Sequence, residues 1–174
     1  RRVNRCPRDI SMMDQSIASS PPVRNRRGTL LIVDDEDGPR ESLRAIFRDD
    51  YELLLASDGP SAIELVQRHK VDVAVLDIRM AGMSGVDVLE RIKYIDSTIE
   101  AVMMTAFETT ETIRKALRLR ACDYLNKPFE VADMRAAVAE ALRASSDLAQ
   151  RFYDAGNITK LELNRERAAA SEAQ

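Results

Sequence analysis

From Thr29 onward, short aliphatic runs alternate five times with segments whose apolar residues recur at helical spacing, the pattern of parallel strands joined by crossover helices. The runs are Leu30–Val33, Tyr51–Ala56, Val71–Leu76, Ile99–Met104 and Cys122–Leu125. Helices are expected near Pro39–Arg48, Ser61–Arg68, Val86–Lys93 and Thr109–Leu119, with a last one starting near Glu130 and running past Ala144. Leu43, Ile46 and Phe47 share a face of the first helix; Ala62, Leu65 and Val66 point inward from the second. Val71–Leu76 is almost wholly apolar, as a strand covered on both faces must be. Right-handed crossovers make a doubly wound α/β sheet, with helices on both faces, the economical topology. Ligands of such sheets bind beyond the carboxyl ends of the strands.

Those ends carry the polar groups. The first run stops at Asp34-Asp35, the third at Asp77, the fourth at Thr105, and the fifth just before Lys127-Pro128. Intervals of 42, 28 and 22 residues separate Asp35, Asp77, Thr105 and Lys127, and all five polar groups fall on one rim. Taken singly, each has a plain explanation. An Asp pair caps a helix or starts a turn, Asp77 precedes a turn near Gly82 and Gly85, Thr105 is a strand residue, and Lys127 is a solvated loop charge. Taken together, three carboxylates on one rim repel one another unless a cation neutralises them, so a divalent metal is expected. Hard oxygen donors without His or Cys favour Mg²⁺ over Zn²⁺.

The segments LLIVDDED, AVLDIRMAGMSGVDVLERIK, VMMTAFE and ACDYLNKPF closely resemble the four signature blocks of the response-regulator receiver domain of two-component signal transduction, over about residues 29–144. The resemblance, not the periodicity, supplies the flavodoxin-like strand order 2-1-3-4-5. It implies a phosphoacceptor switch, not an enzyme with turnover. Asp77 would take a phosphoryl group from a phosphohistidine on a sensor histidine kinase or histidine phosphotransfer protein. Asp34, Asp35, Asp77 and the backbone carbonyl of Arg79 would hold Mg²⁺, and Thr105 and Lys127 would contact the phosphoryl oxygens. Lys127-Pro128 would be a cis bond. Tyr124 stands at the aromatic switch position, which with Thr105 would alter the surface of helix four, strand five and helix five.

The chain departs from the family pattern at Ala81, where Pro is common, and at Arg120, where Gly is common. The latter leads to the expectation of either an irregular end to helix four or a more basic face on it. Arg79 and Phe107 occupy positions that tune dephosphorylation in the family.

Two other readings share these residues. A haloacid-dehalogenase-type Mg²⁺-dependent phosphohydrolase also uses a strand-end Asp, but its first motif wants Asp-x-Asp, and the residue after Asp34-Asp35 is Glu36. A degenerate receiver acting as a binding module would have lost an acidic position or the Lys, whereas all are retained here.

The remaining features bound the setting. With hydrophobic residues at 45%, charged residues at 32% and no Trp, one aliphatic core is expected in the 174 residues. Cys6, Cys122 and the lone His69 make neither a disulfide framework nor a metal cluster. No run suits a membrane helix or an export signal, so a cytoplasmic protein is expected. Residues 1–27 carry seven Arg against two Asp, leaving −8 for the rest of a chain whose net charge is −3. That basic arm, scattered among Ser, Pro and Asn, is expected to be disordered.

No DNA-binding helix-turn-helix is expected within residues 145–174. Instead Val131, Met134, Val138, Ala141, Ser145, Leu148 and Phe152 form one heptad-like stripe, so residues 145–174 are expected to be a helical extension or linker with a possible role in homodimerisation. Asp154-Ala155-Gly156-Asn157 reads as a helix stop, and Thr159 with Glu162 has capping-box spacing for a further helix. RFYDAGNITKLELNRERA has a slight resemblance to a helical segment of outer-membrane efflux channels.

Overall fold

The computed structural model describes residues 28–106 and 110–156, without the side chains of residues 111–113. The basic arm 1–27, Phe107, Thr109 at the expected start of the fourth helix, and the helix anticipated around Thr159 and Glu162 lie outside them. Elements alternate strictly: β1 Thr29–Val33, α1 Asp37–Phe47, β2 Glu52–Ala56, α2 Gly59–Arg68, β3 Val73–Asp77, α3 Gly85–Ile95, β4 Glu100–Thr105, α4 Thr110–Arg118, β5 Asp123–Asn126 and α5 Val131–Asp154. The strands form one parallel sheet in the order β2-β1-β3-β4-β5.

Side-chain alternation splits the core into two layers. Leu31, Val33, Ala74, Leu76, Ala101 and Met103 face α2, α3 and Ala116 of α4. Their neighbours Leu30, Ile32, Val73, Val75, Val102 and Met104 face α1 and α5. All twelve are fully buried, each contributing roughly 1.5–3 kcal/mol for the larger side chains. This is why the central runs read as unbroken hydrophobic stretches.

Three strands run one residue further than their apolar runs suggest. Asp77 pairs with Met104, and Thr105 with Asn126, so both polar residues are the last rungs of the ladder and not loop residues beyond it. Backbone pairing continues past the end of the hydrophobic stretch because it is indifferent to the side chain. The start of β3 shifts too: Val71 is buried but precedes the strand.

Helix ends follow local chemistry. Asp58 caps α2 by accepting from the Ser61 N–H at 2.8 Å, and Ser84 caps α3. Arg120 takes the left-handed conformation (φ 58°) that glycine usually supplies. Its N–H reaches the Leu117 carbonyl at 3.1 Å, and the next N–H, of Ala121, reaches Ala116 at 3.3 Å. That is a regular Schellman closure, so the expected irregular terminus does not form; arginine adopts the conformation at a cost of about 1 kcal/mol.

α5 is 24 residues long, about 36 Å at 1.5 Å per residue. Met134, Ala137, Val138 and Ala141 seat it on the sheet, and Ser145 is its last buried residue. Leu148 and Phe152 continue the stripe half-buried, whereas Val131, expected at its head, is half exposed as the helix's first residue. No helix among the described residues is long and apolar enough to cross a membrane.

Candidate functional site

The carboxyl ends of β1, β3, β4 and β5 converge. Asp34 follows β1 directly and has no exposed surface; its N–H still reaches the Ala56 carbonyl at 3.3 Å. One carboxylate oxygen, Oδ1, accepts from the Glu36 N–H at 2.9 Å, and the other accepts from Lys127 Nζ at 2.9 Å. The same ammonium lies 3.0 Å from Asp77 Oδ2, so Lys127 bridges the two buried carboxylates. Asp77 is 5% exposed, and the Arg79 N–H approaches its Oδ1 at 3.4 Å. That contact sets the Arg79 backbone beside the acid, while its side chain faces solvent.

Asp35 is exposed and reaches across the rim, accepting from the Ala81 N–H at 3.0 Å. The acidic pair after β1 thus tethers the loop after β3. One oxygen from each of Asp34, Asp35 and Asp77 lies within 4.8 Å of the others. Three carboxylates at that spacing with one ammonium leave uncompensated negative charge, and every donor is a hard oxygen. The set fits a divalent cation of the Mg²⁺ type.

Lys127 is held in place by its backbone. Its N–H donates to the Thr105 carbonyl at 2.7 Å, and the following bond to Pro128 is cis, as the resemblance implied. Burial pulls the Lys127 ammonium toward a lower pKa, but hydrogen bonds from it to Asp34 and Asp77, with their charges, hold it above the ordinary lysine value. It is a fixed cation at neutral pH.

Thr105 is 4% exposed, and its Oγ1 has no hydrogen-bond partner among the described residues. The Tyr124 hydroxyl on β5 is likewise buried and unpartnered, and burial pushes its pKa up to about 12. Two buried hydroxyls without a partner among the described residues thus lie on adjacent strands. Their strands pair directly, Met103 opposite Tyr124 and Thr105 opposite Asn126.

Two contributions to the rim were absent from the sequence reading. The Ala81 N–H is a backbone group that no residue type advertises. Gly85, the first residue of α3, packs so closely that a Cβ on it would lie 2.1 Å from the Asp77 main-chain oxygen. The glycine itself was visible, but only the contact explains it.

A five-stranded doubly wound sheet with three carboxylates and a lysine at its carboxyl rim defines the flavodoxin-like class of α/β proteins with an acidic strand-end site. Within that class the chain belongs to the response regulator receiver domain family, whose sequence model matches residues 30–139. It is 34% identical over 119 residues to sporulation initiation phosphotransferase F of Bacillus subtilis, covering 68% of this chain and 96% of that protein. It is 36% identical over 114 residues to the transcriptional regulatory protein ZraR of Escherichia coli; the match covers 65% of this chain but 26% of the regulator. Among solved structures it is similar to NtrX from Brucella abortus, with a TM-score of 0.66 and 28% identity over 74% of this chain and 29% of that one. A CheY-like receiver domain from Methanospirillum hungatei shares the fold, with a TM-score of 0.66 and 23% identity over 69% of this chain and 97% of the other.

Proposed function

We propose that this receiver accepts a phosphoryl group on Asp77 from a phosphohistidine of a sensor kinase or phosphotransfer protein. The observation that carries the reading is the Lys127 bridge between Asp34 and Asp77, beside Asp35. In the transfer an Asp77 carboxylate oxygen forms the new P–O bond as the P–N bond of the donor breaks. Phosphoryl transfer needs alignment and neutralisation of the equatorial oxygens more than covalent assistance. Lys127 supplies a fixed positive charge from one side, and the Thr105 hydroxyl, unpartnered among the described residues, would donate to a phosphoryl oxygen. Asp34, Asp35, Asp77 and the Arg79 carbonyl would hold Mg²⁺, which when bound would neutralise the phosphoryl charge and template the donor. A haloacid-dehalogenase reading loses its support with the family match, and a degenerate receiver is disfavoured because no acidic position is missing.

Acetyl phosphate should label the protein in the presence of Mg²⁺ or Mn²⁺, and EDTA should reduce the label by roughly a hundredfold or more, reversibly. Labelling that persists undiminished in EDTA would remove the metal from the scheme. The product is a phosphorylated switch and not a turnover enzyme. Its output would be a rearrangement in which Thr105 moves to the phosphoryl group and the Tyr124 ring turns after it, altering the surface of α4, β5 and α5. A cytoplasmic location fits such a partner.

We further propose that residues 28–144 are the receiver, that 145–174 are an extension of it, and that residues 145–153, on the rest of α5, promote self-association without contributing to phosphorylation. A chain ending at Ala144 should still be labelled, while sedimentation gives it half the apparent mass per particle of the full chain, relative to chain length. Equal association states before and after truncation would discard the dimer.

A further inference from the structure

The turn from β1 into α1 is closed without the usual cap. Glu36 occupies the N-cap position of α1, yet its side chain makes no capping hydrogen bond. The Glu36 N–H goes to Asp34 Oδ1 instead. A second stitch comes from Arg40 in the first turn of the helix. Its Nη1 donates to the main-chain carbonyl of Asp34 at 2.6 Å, and its Nη2 pairs with the Asp37 carboxylate. The Arg40 side chain is 15% exposed, against 89% for Asp37. A cation in the first turn opposes the helix dipole, and its i,i+3 pair with the exposed Asp37 offsets that only modestly, so helix formation alone gives little reason for a largely buried arginine here.

The Asp34 carbonyl supplies a reason. It lies past Val33, the last residue of β1 in either ladder, and Asp34 is fully buried. A buried carbonyl needs a donor, and a charged donor makes the stronger bond. That carbonyl belongs to the rigid peptide plane joining Asp34 to Asp35, so holding it sets the direction in which the Asp35 side chain leaves the backbone.

We infer that Arg40 is a positioning residue for the acidic pair: its guanidinium fork pins the Asp34–Asp35 peptide so that both carboxylates converge with Asp77 on a divalent cation. The inference rests on the proposed metal-binding role of this rim. The planar fork spans a carbonyl and a carboxylate at once, whereas the single nitrogen of lysine is a point donor on a flexible stem.

The test is Mn²⁺ titration of the full chain without a phosphodonor, read from the electron paramagnetic resonance signal of free Mn²⁺. Arg40→Ala and Arg40→Lys should each bind Mn²⁺ about tenfold more weakly than the wild type, the range for losing a partner behind a metal ligand. Wild-type affinity in Arg40→Lys would show that charge alone suffices and would overturn the inference, as would wild-type affinity in Arg40→Ala. Either result would leave metal binding standing, whereas a wild-type protein that binds no Mn²⁺ would overturn both. Should Arg40→Ala fail to fold, Asp37→Ala carries the test at an exposed position. Loss of the second anchor should weaken Mn²⁺ binding by less than the roughly tenfold expected of Arg40→Ala, and an unchanged affinity would overturn the fork.

Discussion

Asp77→Asn should abolish labelling by acetyl phosphate, with a loss of at least roughly a thousandfold, because an amide oxygen cannot form the acyl phosphate. The folded protein should survive the change. The substitution removes two like-charge repulsions within a cluster whose oxygens lie within 4.8 Å, and it forfeits one attraction, to Lys127, which retains Asp34. Without metal, the melting temperature should therefore equal or exceed that of the wild type. Phosphate incorporation measured by intact mass, alongside thermal melting, separates loss of the acceptor from loss of the fold. Alkali-labile label retained by the variant would refute Asp77 as the acceptor.

Gly85→Ala should be the most damaging of the alanine substitutions at the described glycines. The added Cβ would meet the Asp77 carbonyl oxygen at 2.1 Å, the Asp77 carbonyl carbon at 2.8 Å and Ile78 Cα at 3.1 Å. All three are backbone atoms at the end of a central strand, with no flexible side chain to move aside. Either α3 retreats, breaking the Gly85 N–H bond to the Ile78 carbonyl at 3.1 Å, or the end of β3 shifts and takes Asp77 with it. The expected cost is about 3 kcal/mol, the upper part of the range for overpacking. For a domain of this size that lowers the melting temperature by roughly 10–15 °C. Gly38→Ala is the matched control: nothing lies within 4 Å of its Cβ, it sits in the first turn of α1, and the change should be neutral or stabilising by up to about 1 kcal/mol. Equal melting temperatures for the two variants would show that the close approach is relieved without strain.

Much of the fold was legible because it depends on local signals. Aliphatic runs such as Leu30–Val33 and stripes such as Leu43, Ile46 and Phe47 carry their own periodicity. The rim was legible for a related reason: once the strands are placed, parallel topology puts all their carboxyl ends on one edge, and Asp34, Asp77 and Lys127 do meet there. What stayed hidden depends on partners distant in sequence. Nothing near Ala81 announces that its N–H serves Asp35, and nothing near Gly85 announces the Asp77 carbonyl. Arg120 departs from the helix-end preference for glycine because such preferences are averages, and here the Schellman hydrogen bonds outweigh the left-handed penalty. Arg40 did leave a trace, a cation where the helix dipole favours an anion, but only its bond to the Asp34 carbonyl gives that trace a meaning.

The unbroken course of α5 turns it into a lever. Its root, from Met134 to Ala141, is gripped by β-sheet side chains, and its far end at Asp154 stands beyond the last buried residue, Ser145. Met134 and Asp154 are about 30 Å apart along the axis, so a rotation of only about 5° at the root would carry the tip through roughly 3 Å. A displacement too small to disturb the packing of Val138 would thus arrive at the end of the helix as a shift the size of an atom.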